Sequence, residues 1–392
     1  MKKIIIRKGK EVIIKRKHPW IFSGAIYKKP QDLVDGDLVE VVDFQDRWLA
    51  VGHYNNGSIA IRVISFDEKD DATKLDFWTK KIKNAYEMRL RLSVVNEYTN
   101  AYRLIHAEGD GLPGLIVDVY GDNAVIQCHS IGMYRQKDLI SKAIQEVLKN
   151  KLSSIYNKSK NVLPREMAEE LSDGYLFGKG ESVTIVENGN QFKIDWEGGQ
   201  KTGFFLDQRE NRQLLARYSE GKTILNTFCY TGGFSIYALN SGAKHVTSID
   251  VSATAMELVD ENVILNKKEK NHESITANVM EYLKTSEEDY DIVVVDPPAF
   301  AKTRRKSHNA VQAYKRLNIL AMAKIKPGGM LFTFSCSQVI SRELFYHTIV
   351  SAAMESNRNV RIVHHLSQGP DHPVSAFHPE GSYLKGLVLV VD

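Results

Sequence analysis

The sequence predicts an α/β chain in three parts: a small N-terminal β-barrel, a central mixed α/β domain and a C-terminal doubly wound domain. Three observations predict it. Short apolar runs alternate with turn residues over 1–70, and strand and helix patterns mix over 71–190. Over 191–392 apolar strands alternate with amphipathic helices, which is how βαβ units and a parallel sheet are written. A length of 392 residues also exceeds one ordinary core.

Composition narrows the class. A hydrophobic content of 43% with 26% charged residues describes a soluble globular protein. The net charge of +4 is compatible with nucleic acid without establishing it. Cys128, Cys229 and Cys336 are an odd set with no framework spacing, so a reduced, cytoplasmic chain is expected. The basic start lacks a signal-peptide core, and no apolar stretch approaches the ~20 residues of a membrane helix. The histidines show no zinc spacing, and no metal is expected.

In the first part, "DLVEVVDF", "RWLAVGHY" and "SIAIRVIS" read as strands separated by "QD" and "NNG". Trp20, Phe22, Trp48 and Tyr54 suit the core of a small barrel. With Lys15, Arg16 and Lys17 they would also suit single-stranded RNA. The second part opens on a helix, "DATKLDFWTKKIKNAYEMRLRL". Turn-punctuated β-runs follow, then the helix "RQKDLISKAIQEVLKN".

The third part alternates regularly. "KTILNTF", "AKHVTSID", "YDIVVVDPP" and "MLFTFSCS" are strands; "GGFSIYALNSG", "ATAMELVDENVILNKK" and "YKRLNILAMAKI" are helices; "KPGG", 326–329, reads as a turn. Asn226, Asp250, Asp296 and Ser335-Cys336 stand at strand ends. Such sheets bind ligands at their carboxyl ends.

Asp250 lies 18 residues after Gly232, close to the offset of a ribose-binding carboxylate. The strict pyrophosphate-cradling glycine pattern is missing. A nucleoside cofactor without phosphates, such as S-adenosylmethionine, fits. In "DIVVVDPPAF" two prolines restrain the chain around Asp296, with Phe300 able to stack on a flipped base. Methylating carbon 5 of a pyrimidine requires a nucleophile to add at carbon 6 first, whereas amine methylation does not. Cys336, on a strand expected beside Asp296, separates those chemistries. Structural roles are expected for Cys128 and Cys229. The run after Phe300, with Lys302, Arg304, Arg305 and Lys306, reads either as a phosphate grip or as a solvated face.

Over essentially its whole length, through "HPWIFSGAI", "HAEGDGLPGLIVDVYGD", "KTGFFLDQRENR", "FCYTGGFS", "VVVDPPAF", "LFTFSCS" and "EGSYLKG", the chain resembles a known family. It is that of the bacterial PUA-domain-containing ribosomal RNA large-subunit methyltransferases, class I enzymes that make 5-methylcytosine. The resemblance implies a PUA domain at 1–70, a central α/β domain at 71–190 and a Rossmann-like class I methyltransferase domain at 191–392. It implies Cys336 as nucleophile and Asp296 at the base edge. It places Gln208, Phe228, Tyr230, Thr231, Gly232, Asp250, Asn278 and Asp296 around S-adenosylmethionine. The second cysteine of many such enzymes is Ala299 here, so one thiol must both add and leave. The expected partner is large-subunit ribosomal RNA; no membrane partner is expected, and a homodimer is compatible. The rival readings are an amino-group RNA methyltransferase, a non-catalytic ribosome-assembly factor and, more distantly, a nicotinamide oxidoreductase.

Overall fold

The computed structural model describes residues 1–164, 171–180, 183–301 and 303–392. The chain forms two compact units, one of 1–185, 194–206 and 370–381, the other of 186–193, 207–369 and 382–392.

The first unit begins with β1 (Lys2–Ile6), α1 (Glu11–Lys15), β2 (Trp20–Phe22), β3 (Ile26–Lys28), β4 (Leu38–Val42), β5 (Trp48–Tyr54) and β6 (Ile59–Ser65). The strands form one sheet in the order β2-β6-β5-β4-β1-β3. Alternation puts Val39 and Val41 on the face that shares a core with Ile4, Ile6, Ile61 and Tyr54. The three expected strands are β4, β5 and β6. The other three are brief or lie beside basic residues that blur the alternation.

Next come α2 (Leu75–Arg91), β7 (Ala101–His106), β8 (Leu115–Tyr120), β9 (Asn123–Cys128), α3 (Ile131–Arg135), α4 (Lys137–Leu148), β10 (Ser154–Asn157) and β11 (Gly174–Gly178). The sheet runs β11-β10-β9-β8-β7. Phe77, Trp78 and Ile82 of α2 and Ile144 of α4 pack with Leu104 and Ile126 from the strands. Segment 370–381 belongs here despite its sequence distance. Arg89, fully buried, donates to both Asp110 carboxylate oxygens (2.5 and 2.8 Å) and to the Asp371 carbonyl (2.8 Å). The Arg103 amide donates to the Asp371 side chain at 3.0 Å. Buried charges need such pairing.

A hairpin of β12 (Val183–Glu187) and β13 (Asn190–Ile194) follows, its tip belonging to the second unit. Then come α5 (Arg209–Ala216), β14 (Thr223–Thr227), α6 (Gly233–Asn240), β15 (His245–Asp250), α7 (Ala253–Leu265), β16 (His272–Thr276), α8 (Val279–Thr285), β17 (Tyr290–Val295), α9 (Ser307–Ala323), β18 (Ile325–Ser335), α10 (Arg342–Glu355), β19 (Val360–Leu366) and β20 (Lys385–Val391). The sheet order is β16-β15-β14-β17-β18-β20-β19, parallel from β16 to β18, with β20 antiparallel to both its neighbours. The order reverses at β14 and β17, where a doubly wound sheet opens its ligand crevice.

One expectation is corrected. Lys326 to Gly329 is not a turn ahead of the strand but the irregular start of β18. Tyr290 pairs with Ile325 and Ile292 with Met330, so the intervening residues bulge out. Pro327 has no amide to donate and Gly328 takes φ +79°; both suit a bulge. Among the described residues no helix is long and apolar enough to cross a membrane.

Candidate active site at the strand tips

Register brings the candidate residues together. Thr227 on β14 pairs with Ile249 on β15 and Val295 on β17, and Val295 pairs with Thr333 on β18. The segments after these strands, starting at Phe228, Val251, Asp296 and Cys336, therefore leave one edge of the sheet. The expectation that Cys336 follows the strand beside Asp296 holds.

The loop after β14 is a constrained turn. Phe228, Tyr230 and Gly232 take φ of +55°, +50° and +78°; two of these side chains accept a conformation that ordinarily favours glycine. The Tyr230 amide donates to Asp250 Oδ2 (3.1 Å) and the Ser252 amide to Oδ1 (3.0 Å), which fixes the carboxylate at the end of β15. A carboxylate has about four acceptor positions, so capacity for ribose hydroxyls remains on this half-buried side chain. Two buried oxygens, Thr231 Oγ1 and Asn226 Oδ1, have no hydrogen-bond partner among the described residues. Such atoms ordinarily find a ligand or water, and both lie in or beside the loop. A nucleoside-bearing cofactor fits this donor set.

Beneath the loop, Asn226 donates to Ser235 Oγ (2.8 Å), Ser235 and Ser248 share a hydrogen bond (2.6 Å), and Ser248 meets His272 Nε2 (2.7 Å). Burial pulls His272 down to about 4, so its ring is neutral.

Asp296 is held by the residue just before α5. Gln208 Nε2 donates to Asp296 Oδ2 at 3.0 Å, and Asn211 Nδ2 donates to Gln208 Oε1 at 2.5 Å. The second bond fixes which end of the Gln208 amide faces the carboxylate. The helix is itself anchored. Arg212 donates to Glu187 Oε1 (2.6 Å) and Oε2 (2.9 Å), and the Tyr237 hydroxyl donates to Oε1 (2.9 Å). Glu187 and Arg212 are buried.

The three cysteines differ sharply. Cys128 and Cys229 are buried, while Cys336 is partly exposed. Burial pushes the Cys128 thiol up to about 12 and the Cys229 thiol well above the usual range, with Asp250 adding to the latter. Neither can be a thiolate near neutrality, so structural roles fit both. Both hydroxyls flanking Cys336 are tied down: Ser335 Oγ donates to the Tyr314 hydroxyl (2.9 Å) and Ser337 Oγ to the Ala301 carbonyl (2.8 Å). Tyr314 in turn packs on Phe300, ring centroids 4.7 Å apart. From β20, Lys385 donates to the Ser337 carbonyl at 2.6 Å.

Other expected residues sit further out. Asn278 caps α8, accepting from the Met280 and Glu281 amides at 2.9 and 3.3 Å. Arg305 and Lys306 are exposed just before α9; Lys302 and the Arg304 side chain lie outside what the structure describes. In the first unit Lys15, Arg16 and Lys17 are exposed, and Tyr54 is core. Trp20 is half-buried and donates to Glu108 (2.8 Å), while Phe22 is exposed. Sequence reasoning marked Ser335 only as a strand end and missed Tyr314 and Lys385. Lys385 stood in the quoted "EGSYLKG" without a role, and only knowing that β20 inserts beside β18 supplies one.

Residues 160–387 match the family model described as S-adenosylmethionine-dependent methyltransferase. The chain belongs to that family. Residues 4–66 match a PUA-like domain, so the fold is a class I methyltransferase with an N-terminal PUA-like domain, and S-adenosylmethionine is its cofactor. Similar curated proteins are named Ribosomal RNA large subunit methyltransferase I. That of Aeromonas hydrophila is 40% identical over 394 residues, covering 98% of each chain. That of Photobacterium profundum is 39% identical over 399 residues, covering 99% of each. A solved candidate methyltransferase from Streptococcus mutans is 23% identical, covers 100% of both chains and superposes with a TM-score of 0.84. Another solved candidate methyltransferase, in complex with SAH, gives 0.85 at 23% identity over the whole of both chains. At that identity the likeness speaks for the fold.

Proposed function

We propose that the protein methylates carbon 5 of a cytosine in large-subunit ribosomal RNA through a covalent Cys336 adduct. The observation that carries this reading is the partly exposed Cys336 leaving β18 beside Asp296, while the other two thiols are buried. The names of the relatives support large-subunit ribosomal RNA as substrate, and the exposed charges of Arg305 and Lys306 are consistent with phosphate contacts.

Bound at the β14–β15 loop, S-adenosylmethionine supplies an electrophilic methyl group. Asp250 would hold its ribose; Phe228, Tyr230, Thr231 and Gly232 would line it, Gln208 would lie on its side of Asp296, and Asn278 would stand near the adenine. Asp296, oriented by Gln208, accepts from the exocyclic amine of a flipped cytosine, a donor that uracil lacks. The Cys336 thiolate adds to carbon 6, which makes carbon 5 enamine-like and able to take the methyl group. Loss of the carbon 5 proton then expels the same thiolate. With Ala299 after the two prolines, no second cysteine at that position assists release.

The test is Cys336→Ser together with RNA carrying 5-fluorocytosine at the target. A serine hydroxyl is a far weaker nucleophile at neutral pH, so methyl transfer should fall to background while cofactor affinity stays at the wild-type value. The fluorinated RNA should trap the wild type as a denaturant-resistant adduct on Cys336. A serine variant that turns over normally would transfer the reading to an amino-group methyltransferase.

A further inference from the structure

The geometry points to Lys385 as the positioning residue that holds Cys336 as a thiolate. This rests on the covalent reading above and deepens it. Lys385 opens β20 directly opposite Ser335 in the β18–β20 register, and its Nζ donates to the Ser337 carbonyl at 2.6 Å. Cys336 is the residue between the two that Lys385 touches. The lysine is only 3% exposed, and among the described residues no carboxylate lies within ion-pair distance of it. A buried ammonium with a carbonyl for company and no carboxylate is costly. That cost falls if the neighbouring thiol supplies the counter-charge.

Burial brings Lys385 down to about 8; Cys336 opposes that shift, and the Arg342 guanidinium adds to it. An amine so placed exchanges a proton near neutrality. The step balances within the pair: the Cys336 S–H bond breaks, an Nζ–H bond forms, and two neutral groups become an ion pair. When the thiolate is expelled from the methylated base it returns to the same ammonium. The surrounding titratable and charged groups are Tyr314 on α9, Asp296 after β17, Arg342, Glu343, Tyr346 and His347 on α10, and His365 on β19. Of these, Asp296 opposes a thiolate, and burial pushes Tyr314 up to about 12 so that it stays neutral.

The pH dependence of Cys336 alkylation by iodoacetamide, read by peptide mass spectrometry with Cys336→Ser as blank, tests this in the full-length protein. The wild-type midpoint should fall below the roughly 8.5 of a free thiol. Lys385→Met should raise it by about one unit or more, while Lys385→Arg, which keeps the charge, should leave it nearer the wild type. Turnover of Lys385→Met should drop in kcat with KM for RNA little changed. A wild-type midpoint at or above that of a free thiol overturns the inference and needs no variant to fold. So does an unmoved midpoint in Lys385→Met with its melting temperature retained. The two readings fail separately: normal methylation by Cys336→Ser would sink the covalent mechanism and leave the alkylation shift standing.

Discussion

The two halves of the strand-tip edge are built in opposite ways. On the β14–β15 side, main chain does the positioning. Three residues with positive φ bend the loop, and two backbone amides clamp Asp250. All the parts lie between Asn226 and Ser252. On the β17–β18 side, side chains from distant elements do it. Gln208 reaches Asp296 from 88 residues away, Tyr314 reaches Ser335 from 21, and Lys385 reaches Ser337 from 48. A nucleoside needs a shape and a few fixed acceptors, which a short loop can supply. A nucleophile needs a tuned charge environment, and in this fold that comes from the strands and helices inserted around it.

The sharpest way to break that contrast is Asp250→Ala. If the local half alone holds the ribose, two hydrogen bonds to a charged acceptor are lost, about 2–4 kcal/mol together. S-adenosylmethionine affinity should then fall on the order of 30- to 1,000-fold by calorimetry. Alkylation of Cys336 should be unaffected. Unchanged affinity in a folded variant would dismiss the ribose assignment and blur the division between the halves.

The same contrast explains what could be seen in the sequence. The cofactor half was legible because its signals are short-range: a glycine turn, a strand, and an acidic residue at a fixed offset. The alternation of strands and helices was legible for the same reason, and "FTFSCS" and "DPP" marked two tips. Three things were not. The turn at 326–329 became a bulge because pairing with Tyr290 and Ile292 extends β18 backward past Pro327. The return of 370–381 to the first unit depends on Asp371 meeting Arg89 and Arg103, and no local pattern announces a partner so far off. Lys385 reads as an ordinary charged residue before an apolar run. It gains meaning only from the antiparallel β20 slotting between β18 and β19.

Charge outside the edge should behave differently from both halves. Replacing Arg305 and Lys306 by alanine should weaken RNA binding several-fold at moderate salt. It should also reduce the slope of log affinity against log salt by roughly 0.7 for each phosphate that is no longer neutralised. Cofactor affinity and thiol reactivity should not move. A variant with the wild-type slope would mark these residues as solvated surface.

The smallest expected effect is also the most selective test of the long-range half. Tyr314→Phe removes one hydroxyl and otherwise conserves the ring that packs against Phe300 and Phe345. The Ser335 hydroxyl then loses the acceptor it uses at 2.9 Å and keeps only a 3.4 Å approach from the Ser337 amide. Ser335 is fully buried, so the loss is an unsatisfied donor worth about 1–2 kcal/mol of stability, read as a modest drop in melting temperature. Ser335 is the residue before Cys336, and slack there displaces the nucleophile relative to Asp296. Methyl transfer should therefore slow by more than the stability loss implies, in kcat and not in KM for S-adenosylmethionine. If cofactor affinity falls along with kcat, the two halves share their supports and the contrast between them fails.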